Sequence, residues 1–227
     1  MRDLVPDIRE IITDRKEAGG LPSSTFLNLA PEKQEKLLTA AAREFAAQPF
    51  HEASINSMIR AAGIPRGSFY MYFRDKEELF QYLVRESTEP LLLAFRELLT
   101  RSGGDLFDAI PGLCEYLRSH KADRGLGGMG MLSAIVERNG GLQKSCLIDF
   151  LDTQAVLAQL AAAVNPDLLD IWEASDLERI VRTVLTVALP LIYDAVHTET
   201  AESREELSKT LEILRRGMGA KPAAGHR

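Results

Sequence analysis

Apolar residues recur along the chain at helical spacing. Within residues 3–18 they fall at Leu4, Val5, Ile8, Ile11 and Ile12, one side of a helix that Gly19, Gly20 and Pro22 end. Residues 21–30 read as a linker with Pro22, Ser23 and Ser24. Pro31 suits the first turn of a second helix, in which Leu37, Ala41 and Phe45 repeat every four residues until Pro49. Ser54 is a good N-cap for a short helix with Ile55, Met58, Ile59 and Ala62 on its apolar side, and Gly63 breaks it. Another short helix is predicted from about Pro65 to Phe73. Asp75 and Glu78 form an Asp-x-x-Glu variant of the capping box and open a helix that buries Leu79, Phe80, Leu83 and Val84. Further helices are expected near residues 90–100, 105–120, 129–138, 143–164, 175–197 and 203–217. Ser175 with Glu178, and Ser203 with Glu206, read as capping boxes for the last two. No period-2 run of Val, Ile and Thr competes with these helices. The expected fold is all-α, in four parts: an N-terminal helix and linker (1–30), a three-helix head (31–74), a larger helical domain (75–217) and a flexible tail (218–227).

Composition narrows the class. The 227 residues are 45% hydrophobic and 26% charged, an ordinary globular mix. No stretch free of Asp, Glu, Lys and Arg exceeds 14 residues, the length of 153–166. A membrane span needs roughly 20 apolar residues, so none is expected. Asp3, Asp7 and Glu10 with no apolar core exclude a secretory signal, and two cysteines make no disulfide framework, so a cytoplasmic setting is expected. The net charge of −6 argues at first sight against a nucleic-acid partner. Its distribution changes that picture. Residues 58–76 hold Arg60, Arg66, Arg74 and Lys76 against Asp75 alone, and this basic patch coincides with the two short helices.

Two short helices joined by a tight glycine turn form a helix-turn-helix, whose second helix docks in the DNA major groove. At about 100° per residue, Phe69 and Phe73 share one side of the second helix. Gly67, Ser68 and Met71 lie opposite, flanked by Tyr70 and Tyr72. Such a face is ill suited to solvent and well suited to contact. Gly67 lets backbone approach closely, Ser68 can exchange hydrogen bonds with a base, the tyrosine hydroxyls reach phosphate oxygens and Met71 meets a thymine methyl. Lys76, in the first turn of the next helix, and Ser54, at the start of the first, are placed to meet phosphates.

These residues resemble the TetR/AcrR-type transcriptional regulators. The likeness runs from Leu37 to Phe80: Ala41 and Phe45, Ile59, Ala62-Gly63, Arg66-Gly67-Ser68-Phe69-Tyr70, Tyr72-Phe73 and Lys76-Glu77. The leader Phe26-Leu27-Asn28-Leu29 also looks like that of a subset of the family. The resemblance implies a homodimer on a palindromic double-stranded DNA operator, with repression relieved when a small molecule binds the C-terminal domain. It places Arg66, Gly67, Ser68, Tyr70, Met71, Tyr72 and Lys76 on DNA-facing positions. Departures are Pro65 where many members have Ser, Met71 where His is common, and a longer leader.

The remaining candidates are weighed against that reading. Gly125-Leu126-Gly127-Gly128-Met129-Gly130 matches a dinucleotide fingerprint in form, but helical spacing precedes it where a strand is required, so it reads as an interhelical loop. The four histidines lack metal-ligand spacing, no catalytic grouping emerges, and neither metal nor cofactor is expected. A sensor pocket for a hydrophobic effector is expected among Phe95, Leu113, Tyr116, Met131, Ile135, Phe150 and Leu157, from their apolar bulk together with the resemblance. Residues 175–197 are apolar over more than one face, so the last two helices are expected to form the dimer contact, with Val184 and Leu191 in it. The alternative is a helical small-molecule-binding protein or enzyme with a vestigial head.

Overall fold

The computed structural model describes residues 22–123, 129–138 and 154–220. In chain order its helices are α1 Ser24–Leu27, α2 Pro31–Ala47, α3 Ile55–Ala62, α4 Arg66–Tyr72, α5 Lys76–Arg101, α6 Leu106–His120, α7 Met129–Arg138, α8 Gln154–Ala161, α9 Asp176–Thr198 and α10 Ala201–Met218. A 3-10 turn, Pro166–Leu168, precedes α9. The only β-type pairing among the described residues is one isolated bridge between Leu169 and Gly219. Two compact units divide between Arg85 and Glu86. The expected helix at 3–18, the glycines at 125–128, Phe150 and the tail from 221 lie outside the described residues, as does much of the helix expected at 143–164.

The first unit is built on α2, whose Leu37, Leu38, Ala41, Ala42 and Phe45 are buried against its neighbours. Pro31 opens α2, and the chain turns extended at Gln48 ahead of Pro49. α3 ends in a Schellman motif: Gly63 takes the left-handed conformation (φ 68°), and the Ile64 N–H donates to the Ile59 carbonyl at 3.0 Å. Only glycine adopts that geometry without strain, and it sends α4 off at an angle to α3. Phe69 and Phe73 of the next segment are buried. Phe26, which the linker expectation left outside the core, is completely buried and packs on Phe73 (centroids 4.8 Å apart), Tyr82 (5.7 Å) and Tyr72 (5.9 Å).

In the second unit α9 packs on α6, α8 and α10. By length and hydropathy alone α9 could cross a membrane, the one described helix that could. Its apolar face instead faces its own unit: Val181, Val184, Leu185, Ala188, Ile192, Ala195 and Val196 are all buried. Gly130 lets the start of α7 lie against the preceding loop, where any Cβ would collide with the Lys121 and Asp123 carbonyl oxygens. At the far end of α10, Arg215 bridges Asp105 and Asp108 and lies over the Phe107 ring.

Several expected boundaries move. Residues 76–101 form one helix, where a break before residue 90 was expected. Pro90 itself is exposed, while Leu83, Ser87, Leu91, Phe95 and Leu99 keep a buried stripe running past it. The missing N–H therefore falls on the solvent side and costs the core no contact. Neither expected capping box forms on the last two helices. Ser175 makes no side-chain cap; Asp176 instead accepts from the Trp172 and Glu173 N–H groups. α10 starts at Ala201, capped by Thr200, whose hydroxyl accepts from the Ser203 N–H. The expected fraying after Gly217 does not extend to residues 218–220, because Asp170 N–H bonds the Met218 carbonyl and Ala220 N–H the Leu168 carbonyl. Val184 is fully buried within its own unit, so it does not face outward as a dimer contact must.

Candidate nucleic-acid interface

The second helix of the head, α4, is seven residues long. A helix that short is not stable alone, and its exposed face depends on what holds its buried one. Phe69 is wholly buried and Phe73 nearly so, as the helical spacing requires. Opposite them, Arg66 and Gly67 are exposed, and Tyr70 and Met71 are 53% and 59% exposed. Ser68 is half-buried. A Cβ built on Gly67 meets no atom within 4 Å, so nothing inside the protein demands glycine there. Two apolar side chains beside a glycine with open space in front form a surface that a partner can approach closely.

Tyr72 stands at the edge of this face. It is half-buried and its ring lies on Phe26, so its body belongs partly to the core. Tyr70 keeps its exposure, with its ring edge-on to Phe69 at 5.3 Å.

The flanking residues are held more firmly than spacing alone suggested. Ser54 occupies the N-cap position of α3, but its hydroxyl makes no capping bond, and its own N–H donates to Glu44 Oε1 at 2.9 Å. Lys76 Nζ donates to the carbonyls of Ala53 (2.9 Å) and His51 (3.3 Å) and sits 4.7 Å from the centre of the Phe50 ring. The ammonium therefore ties the start of α5 to the loop that launches α3, and one of its three donors is left over. Asp75 and Glu78 do cap α5: the Glu78 N–H donates to Asp75 Oδ1 at 2.8 Å. The Glu78 carboxylate, 5% exposed, reaches past the N-cap to accept from the Arg74 N–H at 2.6 Å and Arg74 Nε at 3.0 Å. Arg60 turns back on its own helix, to the Asn56 carbonyl at 3.3 Å. Arg66 is the cation that the reading helix itself presents.

Sequence reasoning missed Ser23 and Gln34. The Ser23 N–H donates to the Tyr72 carbonyl at 2.9 Å, and its hydroxyl donates to the Met71 carbonyl. Gln34 Nε2 reaches the carbonyls of Phe26 (3.0 Å), Leu27 (3.2 Å) and Leu29 (3.0 Å). The local part of the signal was a serine three residues before a phenylalanine, at the start of a leader that also carries Leu27 and Leu29. Of the expected pocket residues, Phe95, Leu113, Met131, Ile135 and Leu157 are buried and Tyr116 is half-buried, all in the second unit.

The sequence model described as bacterial regulatory proteins, tetR family, matches residues 37–83. That stretch holds most of α2, all of α3 and α4, and the start of α5. The chain is 42% identical over 69 residues to the uncharacterized HTH-type transcriptional regulator YdgC of Bacillus subtilis strain 168, covering 27% of this chain and 35% of that one. It is 37% identical over 57 residues to the HTH-type transcriptional repressor Rv1474c of Mycobacterium tuberculosis, covering 25% and 30%. The match thus spans about a third of each curated relative's length. A crystal structure from Shewanella sp. PV-4 bearing the tetR family name shares the fold, at 20% identity and a TM-score of 0.57, over 85% of this chain and 100% of that one. The head of the chain, residues 37–83, thus carries the helix-turn-helix sequence of the tetR family of bacterial regulatory proteins.

Proposed function

We propose that the chain is a ligand-responsive transcriptional regulator that binds a palindromic operator as a homodimer, represses, and is released by a hydrophobic small molecule. The observation that carries the DNA-reading part is the exposed Arg66, Gly67, Tyr70 and Met71 face, with open space in front of Gly67. Arg66 supplies charge to phosphate or guanine, while Met71 and Tyr70 supply apolar and hydroxyl contacts to the groove. Repression is supported by the name of the Mycobacterium relative. Dimerisation is supported by the family resemblance, and the apolar side chains that α9 and α10 leave outward, Val187 (38% exposed) and Ile213 (60%), are the candidates for its contact. The effector site is assigned to Phe95, Leu113, Tyr116, Met131, Ile135, Phe150 and Leu157 by their apolar character and the family resemblance. An effector releases DNA only by binding the non-reading state more tightly than the reading state. The chain works in the cytoplasm, where its operator is, and performs no catalysis.

The test is selection of random duplex DNA by the full-length protein, followed by a screen for apolar compounds that release the selected duplex. Enrichment of a two-fold symmetric sequence is expected. Recovery of no preferred sequence overturns the reading. Ile135→Trp is expected to abolish release while leaving operator affinity within twofold of wild type, and unchanged release moves the pocket elsewhere.

A further inference from the structure

We infer that the leader Pro22–Leu29 is a clasp that sets the reading helix for DNA, with Ser23 as its positioning residue. This rests on the DNA-reading function proposed above. A helix leaves its last four carbonyls without partners inside the helix. In the seven residues of α4 those carbonyls make up much of the backbone. One finds a partner close by, since the Phe73 N–H donates to the Phe69 carbonyl at 2.9 Å. The two at the very end, of Met71 and Tyr72, are both taken by Ser23, 48 residues before Met71.

Ser23 does this while capping a helix of its own. Its hydroxyl oxygen accepts from the Phe26 N–H at 3.3 Å, and its hydroxyl hydrogen goes to Met71. The cap of α1 and the end of α4 thus share one side chain. Phe26, three residues on, is wholly buried on Phe73 and against Tyr72. Gln34 of α2 then holds the turn after α1 through three carbonyls. The leader is thereby tied at one end to the first long helix of the head and at the other to the terminal turn of the reading helix. Met71, whose carbonyl Ser23 holds, is also the most exposed apolar side chain of the reading face. The clasp fixes the backbone from which that side chain projects. Its loss degrades discrimination between sequences more than it degrades attraction to phosphates, because phosphate attraction tolerates small shifts of the helix and groove contacts do not.

The experiment compares wild type, Ser23→Ala, Ser23→Thr and Gln34→Leu as full-length proteins. Each is titrated against the duplex selected by wild type and against a scrambled duplex of equal length, over a series of salt concentrations. For Ser23→Ala, affinity for the selected duplex is expected to fall about three- to fivefold, the effect of one ordinary hydrogen bond. Binding to the scrambled duplex and the salt slope are expected to stay unchanged. Ser23→Thr, which keeps the hydroxyl, is expected to restore the preference, and Gln34→Leu to reproduce part of its loss. Amide hydrogen exchange of the free protein provides a readout without DNA. Exchange at Tyr72 and Phe73 is expected to speed up in Ser23→Ala while exchange at Phe45 stays as in wild type. Equal losses on both duplexes, no loss, or failure of threonine to rescue overturns the positioning role. Unchanged exchange at Tyr72 and Phe73 overturns the clasp. A wild-type selection that recovers no preferred duplex overturns the DNA-reading function itself and this role with it, whatever the exchange shows.

Discussion

Lys76 Nζ donates to the Ala53 carbonyl at 2.9 Å, joining the first turn of α5 to the loop that launches α3. Its phosphate role and its structural role are therefore separable by two measurements. Lys76→Ala removes two charge-assisted hydrogen bonds from a half-buried site, and the melting free energy is expected to fall by about 1–2 kcal/mol. If the remaining donor meets a phosphate, the slope of log affinity against log salt falls by about one on every duplex. A lowered stability with an unchanged slope assigns Lys76 to the loop alone.

Gly67 gives the sharpest separation of folding from binding. An added methyl meets no atom of the protein within 4 Å. Gly67→Ala in α4 is thus expected to leave thermal stability unchanged or raise it by about 0.5–1 kcal/mol, since alanine is the better helix former. Operator affinity is expected to fall at least tenfold if DNA backbone or base edges occupy that space. Wild-type affinity in gel-shift titrations would remove Gly67 from the interface.

The position of Val184 redirects the dimer test. Being fully buried in its own unit, it would unfold the domain as Val184→Glu and report nothing about association. Val187 and Ile213 are exposed in the single chain, so Val187→Glu with Ile213→Glu costs little unless a second copy covers them. Burying those charges costs several kcal/mol each. Sedimentation is expected to show a folded monomer, and a folded dimer would place the interface on another face.

Alkaline pH tests the contact between α7 and α9. The Tyr193 phenol is pushed up to about 12, first by burial and then by the Glu137 carboxylate, which its hydroxyl bonds at 3.1 Å. The His197 ring stacks on Tyr193 (centroids 3.9 Å apart), and its Nε2 lies 3.3 Å from the same carboxylate. Between pH about 10 and about 12 the folded chain keeps a proton that the unfolded chain loses, so stability falls as pH rises through that window. Denaturant melts of Tyr193→Phe are expected to lose less stability across the window than wild type. Equal losses would show that Tyr193 titrates alike in both states.

How much of this was readable from the residues depends on how local each cause is. Phe69 and Phe73 pointed inward because period and size act within one helix, and Gly63 stopped α3 because its left-handed backbone is a property of one residue. Failures came where two local signals competed. Ser54 stands where a cap belongs, but Glu44, ten residues back, takes its N–H. Asp176 outcompetes Ser175 because the chain before α9 curls back to meet it, and Thr200 outcompetes Ser203 because α10 starts earlier and draws the Ser203 N–H onto the threonine hydroxyl. Pro90 did not break α5, since the buried stripe on the other side continues past it. The local cap of Ser23 on Phe26 was readable from their spacing, but its grip on Met71 was not, because a hydrogen bond spanning 48 residues leaves no periodic trace.

The leader's attachment has a consequence for transplanting this head onto other proteins. A fragment cut at Pro31, where the first long helix begins, would retain α2, α3 and α4 but lose Phe26, whose ring fills the space over Phe73. Emptying a phenylalanine-sized site costs about 3–5 kcal/mol, a large share of the 5–15 kcal/mol that holds a domain together. The portable reading module therefore begins no later than Pro22, and a chimera joined at residue 31 is expected to express as a loosened head with weakened sequence preference.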